Sequence, residues 1–499
     1  MKLDTSTDPQ VGFRPPGTLE AATALDRYAG AFTRRHAAHL LRRAGFGGSA
    51  ADVDALQSLG AERGIDSILH PPGDEAAFDA YPATAALYDP KTRNATAQNW
   101  WLDRMLRTHR PLTEKMTLFW HGHFATSIRK VPAVLMVEQI DFLRTNALGN
   151  FRTLLMGISK DPAMLVWLDN RANNKLHPNE NYAREVMELF ALGLGNYTED
   201  DVRSAARAFT GWTIDKNQAF VFRPAQHDDG EKTFLDRTGP FGGEDVVDII
   251  VQQPVHQRFL CRKLLEFFVY SDPEPELIEA LAQVYALSGY DLARTVGTIV
   301  RSNVFFSTRA YRALPKSPIE FAIGLLRFMN VEAVPADTIG WLRRMGQEPM
   351  APPSVKGWDG GPTWINTATL LARFNYVNRV VKAAPPRPAM EPSPTMMAAA
   401  TAPATATAAP PPPAPATFPA FGPDDVVRRS GGLDARRVLA AIVADAVQDD
   451  VTSDTRRTLL DYLQSAGASV PTPLGPENYQ EKIRGALALA MNLPANQLS

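Results

Sequence analysis

Two histidines one residue apart, two glutamates three apart and a His-Asp dipeptide are the residues here best suited to chemistry. His121 and His123 flank Gly122. In extended chain such a pair shares one face and can chelate a metal. In a continuous helix the two rings stand about 200° apart and cannot. Gly122 is taken to end a helix over 112–121, which makes His121 and His123 metal-ligand candidates. The plainer alternative packs one ring on Trp120 or Phe124 and leaves the other in water.

The second group lies in Pro178-Asn179-Glu180-Asn181-Tyr182-Ala183-Arg184-Glu185-Val186-Met187-Glu188-Leu189-Phe190. On a helix, Asn181, Glu185 and Glu188 fall on one face at spacings of four and three. Pro178 suits the first turn. Two carboxylates so placed can hold one divalent metal or flank a substrate. Glu185 and Glu188 are catalytic candidates, Glu185 doubling as a metal ligand, with Asn181 and Arg184 orienting substrate. Arg184 is four residues from Glu188 and within reach of pairing with it. The alternative is a solvated, salt-bridged face.

His227-Asp228 offers a general base beside an orienting carboxylate, and Lys232 follows across a short turn. A turn fixed by Asp228 is the competing reading. Arg34-Arg35-His36 and Arg42-Arg43 are read as a solvent-facing helical stripe, with anion binding as the alternative. Gly357-Trp358-Asp359-Gly360-Gly361 lacks the spacing of a nucleotide fingerprint and reads as a tight loop anchored by Trp358 and Trp364. Gly-x-Ser-x-Gly, His-Glu-x-x-His and Walker motifs are missing from the sequence. The one cysteine, Cys261, sits in an apolar helical pattern and is expected to be a buried small hydrophobe.

The elements that must position these groups are helical. Apolar residues recur at 3.6-residue spacing over 131–147, 178–194, 198–212, 255–270, 274–287, 316–330 and 366–382. Asp201, Asp245 and Ser317 stand where helices start. Ala219–Phe222 and Lys232–Leu235 read as two strands of one hairpin turning at Asp229-Gly230. The expected fold is mainly α, a multi-helical globular body with one small β-hairpin insertion. It divides into a polar segment 1–29, a helical body 30–383, a Pro/Ala/Thr-rich linker or insertion 384–423 and a C-terminal helical segment 424–499. The linker holds thirteen of the forty prolines. Helices over 433–446, 453–466 and 478–492 form a small bundle of their own or dock on the body.

With 499 residues the chain buries at least one large core. A net charge of −2 gives no electrostatic reason for nucleic acid as partner. No run of about 18 apolar residues occurs, so no membrane span is expected. Met1 to Pro16 contains no apolar signal region. As written the chain reads as cytoplasmic, with an exported location left open.

These motifs together resemble the bacterial DUF 1800 family, a domain of unknown function. The polar helix from Pro178 to Phe190 carries the strongest match, continued by Gly193, Tyr197-Thr198-Glu199-Asp200-Asp201-Val202 and Thr210-Gly211-Trp212. Further matches are His39 to Gly47, Trp120-His121-Gly122-His123-Phe124, Asp161-Pro162-Ala163-Met164, His227-Asp228 with Lys232, and Lys356-Gly357-Trp358. They span roughly residues 36–382; the proline-rich insertion departs from the family pattern and the end from Leu487 to Ser499 resembles it only loosely. The resemblance implies a sulfatase-like protein as partner, and many relatives look exported. Two readings follow: a metal-assisted hydrolase-like enzyme with a His/Glu site between helices, or a non-catalytic helical scaffold or maturation partner of the sulfatase-like protein.

A chain with little to bury between 384 and 423 is expected to be cut there first. Limited proteolysis followed by mass mapping checks this; first cuts elsewhere with 384–423 intact refute the linker reading.

Overall fold

The computed structural model describes residues 21–71, 94–383, 421–465 and 473–499. The Pro/Ala/Thr-rich segment therefore lies outside the described residues apart from its last three, as do the first twenty residues of the polar segment. The helices that matter below are α1 (Arg34–Arg43), α2 (Asn94–Arg107), α3 (Pro111–His123), α4 (Glu180–Glu188) and α5 (Glu199–Ala208). They continue with α6 (Pro254–Phe268), α7 (Pro318–Phe328), α8 (Thr367–Val381), α9 (Ala435–Val447) and α10 (Tyr479–Met491). Four three-residue strands interrupt them: β1 (Trp212–Ile214), β2 (Phe220–Phe222), β3 (Lys232–Phe234) and β4 (Arg237–Gly239). The fold is mainly α-helical with a small β insertion. No helix of the described residues is long and apolar enough to cross a membrane.

Local chemistry sets the helix starts. The Ser317 hydroxyl caps α7 by accepting from the Glu320 N–H. Thr198 and Asp201 cap α5 reciprocally, the Asp201 N–H reaching Thr198 Oγ1 at 3.2 Å and the Thr198 N–H reaching Asp201 Oδ2 at 2.8 Å. The other Asp201 oxygen accepts from the Leu235 N–H at 2.7 Å, tying α5 to the turn between β3 and β4. α4 is shorter than its apolar pattern: it starts after Asn179, whose side chain caps it, so Pro178 lies before the helix rather than in its first turn. It stops at Glu188, and the chain then turns through Gly193 and Gly195, both at positive φ (82° and 81°).

The strands correct the expected hairpin. Ala219–Phe222 and Lys232–Leu235 do contain β2 and β3, but these do not pair with each other. β1 pairs antiparallel with β2, and β3 with β4, giving two separate ribbons. Leu235 and Asp236 both take left-handed backbone (φ 45° and 63°), which makes the tight two-residue turn between β3 and β4. Asp229-Gly230 instead sits in the connection between ribbons, where the Gly230 N–H donates to the Asp228 carboxylate at 2.9 Å.

One continuous apolar cluster extends from Ala24 to Met491, so the C-terminal helices share the core of the body. The Arg373 guanidinium of α8 donates to the Lys316 carbonyl (2.8 Å) and to Gln497 Oε1 (3.2 Å), and Arg484 of α10 donates to the Val381 carbonyl. The arginine stripe of α1 is the largest departure from the sequence reading. It does not face water. Arg34 pairs with Asp445 of α9 at 2.8 Å, Arg35 donates to the Gln448 carbonyl at 3.0 Å, and Arg43 is 2% exposed. A charged stripe reads alike whether it meets solvent or a carboxylate-bearing helix from 400 residues away.

Candidate functional site

α4 turns Tyr182, Ala183, Val186 and Met187 into the core, which leaves Asn181, Arg184, Glu185 and Glu188 on its outer side. Arg184 does not pair with Glu188. Its guanidinium grips Glu199 of α5 with two hydrogen bonds (2.7 and 2.8 Å) and touches Glu180 at 3.4 Å. This bidentate geometry is why Glu199 outcompetes Glu188. Glu188 instead accepts from the Tyr197 hydroxyl at 2.7 Å. Glu185 makes no side-chain hydrogen bond or ion pair among the described residues; partial burial, then the neighbouring Glu188 carboxylate, raise its pKa above the usual carboxylate value.

The His227-Asp228 segment lies against the end of α5. His227 is 9% exposed and edges onto the Phe222 ring. Its Nδ1 is 2.9 Å from the Thr210 carbonyl, which only accepts, so Nδ1 carries a hydrogen. Asp228 is clamped by Arg207 (2.7 and 3.2 Å), which holds its carboxyl below the ordinary range. Lys232, 2% exposed, donates to the Asp228 and Gly230 carbonyls and has its ammonium 4.0 Å from Asp228 Oδ1. Burial lowers it from the usual lysine value. These three residues are brought together, and what they form is a cross-braced loop.

His121 and His123 are placed differently. Gly122 does not end the helix; α3 runs on through His123 to a cap at Phe124. The rings therefore diverge, as helical periodicity requires. His121 is fully buried between Trp101 (5.2 Å, edge-on) and Trp358 (5.7 Å), and both its nitrogens lack a hydrogen-bond partner among the described residues. Burial pushes it down to about 3. His123 donates from Nε2 to the Phe190 carbonyl at 2.9 Å, in a box of Phe119, Trp120, Phe124 and Phe190. Burial, then Lys263, holds it well below the ordinary histidine value. The glycine in Lys356-Gly357-Trp358 has its own reason: at φ +86° it lies so close to the Gly122 carbonyl that a Cβ would collide. That approach sets Trp358 on His121. Among the described residues no group of three or more His, Cys, Asp or Glu stands close enough to share a metal ion, so His121, His123 and Glu185 are not one ligand set here. Cys261 is fully buried, and burial pushes its thiol up.

Two residues that sequence reasoning missed hold the motif together. Asn173, 2% exposed, accepts from the Asn179 N–H (2.9 Å), donates to the Ala206 carbonyl (2.9 Å), and its own carbonyl accepts from Gly211. The Thr210 hydroxyl accepts from the Asp228 N–H at 2.8 Å and donates to the Arg207 carbonyl. The signal for Asn173 was present as the asparagine-rich stretch Asn170-Arg171-Ala172-Asn173-Asn174, polar yet without helical periodicity.

A family model described as a protein of unknown function, DUF1800, matches residues 39–498. The match extends past the proline-rich segment, through the C-terminal helices. No curated protein and no solved structure matches the chain.

The depressed histidines set an acid dependence. Below about pH 6.5 the unfolded chain protonates these rings while the native state keeps them neutral, so stability falls by about 1.4 kcal/mol per pH unit for each. For His121 the fall continues to about pH 3, and for His256, fully buried in α6 beside the Ala191 carbonyl, to about 4. His121→Phe keeps a ring between Trp101 and Trp358 and removes the titration. Denaturant unfolding should show the variant gaining about 2 kcal/mol relative to wild type between pH 7 and pH 5. An equal difference at both pH values refutes the assignment.

Proposed function

We propose that this chain, which belongs to the DUF1800 family, is a non-catalytic helical scaffold that docks a partner protein, a sulfatase-like protein being the candidate. The observation that carries the reading is the use of the ionic groups of the motif. Arg184 locks α4 to α5 through Glu199, Glu188 holds Tyr197, and Asp228 and Lys232 brace the loop before β3. Such a network fixes the relative placement of surface turns. Those turns carry apolar groups: Leu176 before α4 is 78% exposed and Leu194 after it is 76% exposed. Two leucines so exposed, one on each side of a rigid polar helix in the chain, offer a partner apolar anchor points beside polar residues.

Co-expression with the sulfatase-like protein, followed by size-exclusion chromatography and surface plasmon resonance, tests the reading. A complex is expected, weakened about tenfold or more by Leu176→Asp with Leu194→Asp, since truncating an interface centre typically costs over about 1 kcal/mol per residue. Both sites are exposed, so the fold should be unchanged. Two folded proteins that fail to associate refute it.

One observation favours the metal-assisted hydrolase-like reading: Glu185 is a half-buried carboxylate with no hydrogen-bond or ion-pair partner among the described residues, beside a second carboxylate, and its pKa is raised, the direction a general base requires. Calorimetric titration with Zn2+ separates the two. Stoichiometric binding that Glu185→Ala abolishes, with an unchanged far-UV spectrum, selects the enzyme. No saturable binding in the wild type leaves the scaffold.

A further inference from the structure

The buried side of the α1 arginine stripe encloses a cavity of about 50 Å³ between α1, the segment 312–320, α9 and the residues after α10. A water needs roughly 10–15 Å³ by this measure, so the space takes a few waters or one tetrahedral oxyanion. Arg42, Arg312 and Lys316 line it, with Glu320 and Asp445 opposite. Both carboxylates are already neutralised from outside the lining, Glu320 by Lys115 and Asp445 by Arg34 and Arg429. Arg312 is the lining cation that forms a direct ion pair among the described residues, with Asp450, whose charge also reaches Arg42. Lys316, 8% exposed, donates only to the Asn496 carbonyl and side-chain oxygen (2.8 and 3.0 Å).

Arg42 is the sharpest feature. Its Nη1 donates to Gln448 Oε1 at 2.6 Å, and Arg312 Nη2 donates to that same oxygen at 3.0 Å. One neutral amide oxygen thus stands between two guanidinium groups. Arg42 Nε and Nη2 are buried and make no hydrogen bond among the described residues. Behind it, among the described residues, Arg43 and Arg373 also donate to neutral oxygens. Burial, then repulsion from Arg312, brings Arg42 down to about 10, and burial brings Arg43 to about 9. Burying cations that have no carboxylate in direct contact is costly. Gln448 and Arg312 also hold left-handed backbone (φ 53° and 52°), a strained conformation for such residues that is maintained at this spot.

We infer that this cavity is a binding site for a protonated tetrahedral oxyanion of the phosphate class, held by Arg42, Arg312 and Lys316, that clasps the C-terminal helices to α1. The cations supply charge-assisted donors for the bare oxygens. The Glu320 and Asp445 carboxylates on the lining suit a ligand that brings its own P–OH donor, which sulfate lacks near neutral pH. The site is separate from α4 and does not depend on the scaffold reading.

The full chain, exchanged into buffer free of phosphate and sulfate, is titrated by calorimetry with sodium phosphate, and separately with sodium sulfate and sodium chloride. Phosphate should bind saturably at one per chain, sulfate at least about tenfold more weakly, chloride without saturation. At a hundredfold excess over Kd, phosphate should raise Tm by about 2–3 °C. Arg42→Gln should remove the saturable part and keep only the general effect of salt. Equal binding of sulfate and phosphate overturns the role of the carboxylates. Absence of saturable heat, with Tm rising in proportion to salt alike in wild type and variant, overturns the site and leaves water in the cavity. Should Arg42→Gln fail to fold, anion released by acid denaturation of exhaustively dialysed wild type decides with the titration: no released phosphate together with no saturable heat is a refutation.

Discussion

Arg312 reaches 138 residues along the chain to pair with Asp450 inside the protein, and much of the architecture follows from burying charge in this way. Asp450 also meets Arg35 and the Tyr311 hydroxyl, so one carboxylate joins α1, the segment before α7 and the end of α9. Removing one member of a buried pair leaves the other uncompensated, a cost of about 3–5 kcal/mol. Pairs of this kind add little net stability over apolar packing, but they tolerate only one relative placement of the elements they join. The same logic operates at Lys115 with Glu320 and at Arg34 and Arg429 with Asp445. The C-terminal helices are therefore held in register with the body by charge as well as by shared apolar core.

The family motif around α4 obeys a milder version of the rule. Apart from the buried Lys232 its charges are partly exposed, where ion pairs contribute little energy. Their value lies in geometry: Arg184 between Glu180 and Glu199, Asp228 between Arg207 and the Gly230 N–H, Lys232 among carbonyls. Glu185 stands apart as the acidic member of the motif that stabilises no neighbour, and it is the residue on which the scaffold and enzyme readings divide.

Much of this was legible in the residues. Helices announced themselves by 3.6-residue periodicity, and Ser317 and Asp201 marked starts that the structure contains. The strand segments were legible too, because Phe220–Phe222 and Lys232–Phe234 have strand composition. Their partners were not, because pairing depends on the left-handed turn at Leu235-Asp236, and neither residue advertises that backbone. Gly122 was ambiguous in principle: glycine ends helices, but α3 continues through it because Trp120, His123 and Phe124 find aromatic packing only in helical register. The burial of Arg42 and Arg43 was illegible for a different reason. It depends on Val269 and on residues 445–450 and 495–499, and no local pattern encodes contacts at such separations.

That separation has a consequence for how the protein is made. Arg34 meets Asp54 20 residues on, but its second carboxylate, Asp445, follows only 411 residues later. At typical synthesis rates this is about 20–80 s during which α1, with Arg34, Arg35, Arg42 and Arg43, has emerged without the C-terminal helices that complete its cover. An early-emerging element whose burial surface is partly translated last cannot complete a folding unit on its own. The nascent chain is thus a long-lived incomplete body with an open cationic flank, a natural client for chaperones and a point where truncated products should fail to close.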